Sequence, residues 1–183
     1  MPTIIAHAVV GLTLARLMPT HQRSPKAYAL AAGCAMLPDV DMLTRLVSGD
    51  FGLAPHWLQH RGFLHSLSFA MLTGLLVTLL AYGFQWRHRF AQWWAYVLLF
   101  AGVTASHGLL DAFTNGGAAI ALLAPFSWAT YFAPWRPLEV SPFWLGVFGD
   151  RGNAVLRSEL LWLALPCAVL WAHAAERDRR RSR

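Results

Sequence analysis

The chain has 183 residues, enough for one domain with a sizeable core, and 56% of them are hydrophobic against 13% charged, with nine Trp. That balance excludes an ordinary soluble domain, because too little polar surface remains to cover a fold, and it points to a membrane protein. The net charge of +6 does not make a nucleic-acid binder, since the basic residues form no stripe interleaved with aromatics.

Five apolar stretches follow one another. Thr3 to Leu17 is the first, with Thr3 placed as its N-cap. The N-terminus carries neither a basic leader nor a small-residue cleavage site, so it reads as mature protein. The second stretch, Ala27 to Pro38, ends in "LPDVD". Both are short for a hydrocarbon core of about 30 Å and are read as tilted, re-entrant or buried. After a loop carrying "HWLQHRGFLHS", Ser66 to Trp86 holds 21 residues without a formal charge, and Phe90 to Leu110 holds 21 more. Each is long enough to cross. Gly116 to Asn153 is punctuated by Pro125, Pro134, Pro137 and Pro142, which forbid a long helix. We expect a loop or short turns there, with aromatics at the membrane interface and the potential to act as a lid. Leu160 to Ala172 is the last apolar stretch. The fold class is therefore all-α, a multi-pass membrane helical bundle of about five apolar helices, some short, with a Pro/Trp-rich loop region over one face. Residues 1–176 form one membrane-embedded domain and 177–183 a basic disordered tail. Cys34 and Cys167 sit inside apolar runs as small core residues.

Basic residues cluster in three places: Arg16, Arg23 and Lys26; Arg87 and Arg89; and Arg177, Arg179, Arg180, Arg181 and Arg183. Placing each cluster on the cytoplasmic side follows the positive-inside rule and sends the chain back and forth between them. His7, "LPDVD", "HRGFLHS" and "SHGLLD" then arrive together at the outer face, although only the charges oriented the segments. Ten of the fifteen Lys and Arg lie inside, while Arg45, Arg61, Arg136, Arg151 and Arg157 lie outside. The expected location is a bacterial inner (plasma) membrane, with basic loops and C-terminus cytoplasmic.

From Phe90 to Trp135 the sole acid is Asp111 and the sole histidine is His107. At i and i+4 they share one helix face. A carboxylate in an apolar bundle is costly unless it meets a cation or water, and no Lys or Arg is near in sequence. Its partner is then a distant side chain or a metal, with helix capping as the bland alternative. Asp39 and Asp41 straddle Val40 at the end of an apolar run. Carboxylates held beside histidines at a membrane boundary suit Zn²⁺ or Mn²⁺ and the activation of a water. His60 and His65 are five apart, off a common helical face, but both reach one site if His60 ends a loop and His65 opens a helix. Arg61 between them is read as a clamp on an anionic substrate such as a phosphate, against a headgroup contact or an ordinary ion pair. His7 alone would be structural. His21, His88 and His173 lie near basic clusters and stay outside the site; His56, one turn from His60, is ambiguous.

Taken in order, His7, "PDVD", "HRGFLHS" and "SHGLLDAFTNGG" resemble the YdjM-like family of membrane-bound metal-dependent hydrolases, itself similar to the zinc-dependent phospholipases C and the single-strand-specific zinc nucleases. The resemblance covers His7 to about Gly117. It implies as metal ligands His7, Asp39, His60, His65, His107 and Asp111, with Asp41 either a ligand or the group that orients a ligating histidine. The family's HRGxTHS pattern has Thr where this chain has Leu64, which removes a hydroxyl beside the site but no ligand. The implied activity is hydrolysis, at phosphorus, using one or more divalent ions, zinc first and manganese second. Asp41 takes the proton of the activated water, and Arg61 holds the phosphoryl oxygens. A small or lipid-linked phosphoester is the expected substrate, with membrane lipids as partners and no nucleic acid.

Two other classes compete. A metal or proton carrier would need a polar path to the inner face, where Leu67 to Trp86 offers only Ser68, Thr73, Thr78, Tyr82 and Gln85. A b-type haem or quinone protein would want paired histidines without crowding carboxylates, and a Soret band would reveal haem.

Overall fold

The computed structural model describes residues 1–42, 59–84, 89–141 and 149–183, so Arg45, His56, Arg87, His88 and Pro142 lie outside the described residues. Helix α1 spans Ile4–Leu17 and begins where Thr3 Oγ1 accepts the Ala6 N–H, satisfying a first-turn donor. Helix α2, Pro25–Met36, opens on Ser24 in the same way and passes into a 3₁₀ turn, Leu37–Val40. A second 3₁₀ turn, Phe63–His65, leads directly into helix α3, Leu67–Tyr82, capped by Ser66 Oγ, which accepts from Phe69 N–H. Helix α4 is Phe90–Ala112.

These four helices pack as two hairpins, α1 with α2 and α3 with α4, and both α1 and α2 lie against α4. Close approach depends on small side chains. A methyl at Gly11 would meet the Ala31 carbonyl oxygen at 2.8 Å and Ala35 Cβ at 2.9 Å. A methyl at Gly74 would meet the Val97 carbonyl oxygen at 2.5 Å and Ala101 Cβ at 2.8 Å. Backbones can then touch, which suits helices that gain little from hydrophobic burial once they sit in lipid. Between the hairpins lies an apolar core of Ala31, Cys34, Ala35, Tyr96, Phe100 and Val103.

Helix α5, Asp150–Glu159, continues through one π-turn, Leu160–Ala164, into helix α6, Leu165–Arg181. The wide turn gives room to Pro166, whose ring would meet the Trp162 carbonyl in a regular helix. The last helix is thus longer than the apolar stretch from Leu160 to Ala172. It also takes up most of the expected disordered tail, because Asp178 pairs with Arg16 at 2.9 Å and Arg23 at 2.5 Å, while Arg177 donates to the Leu17 carbonyl. Arg177 to Arg181 are helical. Two helices, Phe90–Ala112 and Arg151–Arg181, are long and apolar enough to cross a membrane; Ile4–Leu17 and Leu67–Tyr82 are shorter. Among the described residues of the run Ser66 to Trp86, 16 are helical, about 24 Å, because Gly83 ends the helix at φ 68° with its N–H on the Leu79 carbonyl.

Residues 113–141 form no helix. Isolated bridges pair Thr114 with Leu138 and Ile120 with Tyr131, and no strand occurs among the described residues. The loop presents Phe126, Trp128, Tyr131 and Trp135 outward, while Leu80, Leu98 and Val169 are exposed on the helices. The architecture is the all-α bundle with a Pro/Trp-rich loop that the sequence predicts.

Replacing Gly74 by Ala should lower the thermal midpoint in detergent. The expected loss is about 1–3 kcal/mol, the usual cost of forcing a methyl into a packed seam, and an unchanged melting curve would contradict the close α3–α4 contact.

Candidate metal centre

The start of α1, the end of α2, the start of α3 and the end of α4 meet at one end of the bundle. Each brings polar side chains. His7 lies in the first turn of α1; Asp39 in the 3₁₀ turn after α2, where Pro38 tightens the chain; His65 in the turn before α3; His107 and Asp111 one turn apart at the end of α4. His60 joins them from the segment just before that second turn. All six expected ligands therefore converge. Gly108 makes this possible, since a Cβ there would collide with the His65 carbonyl oxygen.

Acceptor atoms face one another inside this cluster. His107 Nε2 stands 3.3 Å from Asp39 Oδ1, and His7 Nε2 stands 3.6 Å from Asp111 Oδ1. His65 Nε2 lies 3.7 Å from Asp111 Oδ2 and 4.0 Å from Asp39 Oδ1. None of these atoms meets hydrogen-bond geometry, although Asp111 Oδ2 is ion-paired with Arg61 Nε, and His107 and Asp111 are fully buried. The His107 Nδ1–H donates to the Ala35 carbonyl at 2.7 Å, which in the neutral ring leaves the Nε2 lone pair aimed at the carboxylate. The His7 and His107 rings stack at 3.7 Å, so their lone pairs share one region.

A proton relieves one such contact; a metal ion relieves several at once. Three groups have ligand atoms all within 4.8 Å of one another: His7, Asp39 and His107; Asp39, His60 and His65; and His65, His107 and Asp111. Imidazole with carboxylate is a donor set that suits zinc or manganese. The residues present fit a divalent ion.

Asp41 and Arg61 stand elsewhere. Asp41 Oδ1 accepts from His60 Nδ1 at 2.9 Å, and its Oδ2 lies 3.4 Å from His65 Nδ1, so it sits behind two imidazoles and turns their other nitrogens inward. Burial pushes the Asp41 carboxyl up from its ordinary range, and its hydrogen bond with His60 opposes that shift. Of the two roles left open for Asp41, orientation of a histidine is the one its geometry matches, and with both oxygens so engaged it is poorly placed to take a proton from water.

Arg61 requires a correction. It is 2% exposed, and its guanidinium is spent inside the protein: on the Gly116 and Ala118 carbonyls, on Thr114 Oγ1 at 3.1 Å, and on Asp111 Oδ2 at 3.2 Å. With four of its five N–H donors directed at these groups and its side chain buried, the guanidinium is poorly placed to clamp phosphate. Asp111 thereby gains the distant cation that its apolar neighbourhood demands. Thr114, Gly108 and the Ala35 carbonyl escaped the sequence reading. Gly108 alone left a signal, as the small residue beside His107 in "SHGLLD". His21 and His173 are exposed, away from the cluster.

A family model described as YdjM inner membrane protein matches residues 1–178. The chain belongs to the YdjM inner membrane protein family. A relative in that setting is the inner membrane protein YbcI of Escherichia coli strain K12, 36% identical over 173 residues, which cover 93% of this chain and 95% of the relative. No solved structure matches the chain. As a YdjM family protein, the chain is a membrane protein, and its apolar exterior fits that setting.

Asp39→Asn keeps the shape of the carboxylate but offers a donor to His107 Nε2. The chelator-treated variant should melt above the chelator-treated wild type, while zinc no longer raises its midpoint. A variant still stabilised by zinc as strongly as the wild type would contradict a ligand role for Asp39.

Proposed function

We propose that this YdjM family protein is a membrane-bound metal-dependent hydrolase that cleaves a phosphoester, with a lipid or lipid-linked phosphate as substrate. The observation that carries the reading is the convergence of mutually facing ligand atoms on His7, Asp39, His65, His107 and Asp111, which make no hydrogen bond in the cluster and are buried at the end of an apolar bundle. These residues, with His60, would hold zinc or manganese. A divalent ion bound there supplies an activated water and polarises a phosphoryl oxygen. Asp41 holds His60 and His65 in the tautomer that presents a lone pair inward, and the Ala35 carbonyl does the same for His107. His60 and Asp39 form the less buried edge, from which a substrate would approach.

A transport role finds less support. Tyr96, Leu99, Phe100 and Val103 pack as an apolar plug on the α4 segment leading away from the cluster. Thr104, the nearest buried hydroxyl there, donates to its own helix at the Phe100 carbonyl. A one-sided site suits an enzyme better than a path. Its sidedness follows from charge: Arg16, Arg23 and Arg177 gather around Asp178 at the far end, while Arg61 at the site end is neutralised internally by Asp111. We place the basic end in the cytoplasm and the metal centre toward the outer face.

The test is hydrolysis of a panel of lipid and soluble phosphoesters by the detergent-purified protein. Phosphate release should depend on added zinc or manganese, stop with chelator, and fall to background in His107→Ala. Release by a zinc-loaded His107→Ala variant at the wild-type rate would contradict the reading. For sidedness, a cytoplasm-specific reporter fused after Arg183 should be active, and a silent fusion would reverse the orientation.

A further inference from the structure

Arg61 is the described non-glycine residue with positive φ, 66°, a left-handed conformation that a side-chain-bearing residue holds only when its surroundings compel it. Both of its backbone groups are engaged. Its N–H donates to Asp41 Oδ2 at 3.3 Å, and its carbonyl accepts from Ala121 N–H at 3.1 Å. This backbone anchor delivers the guanidinium to two structures at once. One is the Asp111 carboxylate; the other is the turn from Thr114 to Ala118, whose hydroxyl and carbonyls take three more donors. Gly117 lies flat over the guanidinium at φ 85°, and a Cβ there would stand 2.8 Å from Nη1 and 2.9 Å from Cζ.

Asp111 thus has two duties on its two oxygens. Oδ1 faces His7, while Oδ2 is shared between His65 and Arg61 Nε. The side chain that sets the rotation of this carboxylate also ties down the turn leaving the end of α4. Lys cannot substitute, because a single ammonium lacks the planar fork that spans four partners.

We propose that Arg61 is the positioning residue of the metal centre: through one guanidinium it aims Asp111 at the imidazoles and locks the Thr114–Ala118 turn beside it. The proposal rests on the metal-binding reading and replaces a substrate clamp by a device that sets ligand geometry. Its prediction is that metal affinity and coordination geometry, besides activity, depend on a residue that touches no metal, and on a glycine that touches only that residue.

The experiment titrates the detergent-purified full chain, stripped of metal, with cobalt(II), and records the visible ligand-field spectrum together with affinity by competition against a chromophoric chelator. Wild type, Arg61→Lys, Gly117→Ala and Thr114→Val are compared, with circular dichroism to establish the fold. Arg61→Lys should weaken cobalt binding by about 10- to 100-fold, the usual effect of removing a group that orients a ligand, and should change the spectrum. Gly117→Ala should shift the spectrum in the same direction with no change of charge. Should Arg61→Lys fail to fold, the Gly117 and Thr114 variants carry the test. Wild-type affinity and spectrum in every folded variant would overturn the proposal. So would an Arg61→Lys variant that binds cobalt normally but loses affinity for inorganic phosphate, which restores the clamp. A wild type that takes up no cobalt defeats the metal reading itself, and this proposal with it; uptake with unaltered variants defeats this proposal alone.

Discussion

Two carboxylates and three imidazoles share one buried region in which the facing atoms are acceptors. His107 Nε2 and Asp39 Oδ1 stand 3.3 Å apart without a hydrogen bond, while His107 Nδ1 is committed to the Ala35 carbonyl. Burying one unpartnered polar group is costly, and burying several that repel one another is more so. The chain nevertheless devotes the ends of four helices to this arrangement. A bound cation would reconcile the two facts, and the remaining features would hold the acceptors where it sits.

Helix packing supplies the precision. Candidate ligands on α1, the turn after α2, the turn before α3, and α4 come within reach of each other because backbones approach through Gly11, Gly74 and Gly108. Capping adds to it: Ser66 starts α3 one residue after His65, and Pro38 turns the chain just before Asp39. Around these candidate ligands stand the groups that contact them from behind, Asp41 at His60 and His65, the Ala35 carbonyl at His107, and Arg61 at Asp111. The far end of the bundle is built on a different principle. There Asp178 collects Arg16 and Arg23, and Arg177 caps the carbonyls that end α1.

Much of this was legible in the residues themselves. An isolated His107 and Asp111 in an apolar segment stand out because nothing else there is polar, and the alternating basic clusters place them on the same side as His7, Asp39 and His65. Those side chains do converge in the structure. The role of Arg61 was not legible, because two of its partners are the backbone carbonyls of Gly116 and Ala118, which carry no signature in sequence. A phosphate clamp was a fair expectation for an arginine between two histidines; only burial and the engaged fork show otherwise. The helical state of Arg177 to Arg181 was hidden for a similar reason, since the acid that anchors it meets arginines about 155 and 162 residues earlier in the chain. Gly83 ended α3 early through one positive φ, a local event that hydropathy over 21 residues averages away.

The central claim is that this cluster binds metal, and the most direct measurement is elemental analysis of the detergent-purified protein beside a His107→Ala, Asp111→Ala double variant. The account predicts one or more equivalents of zinc or manganese in the wild type and depletion in the variant. Absence of metal from both, even after reloading, would contradict it.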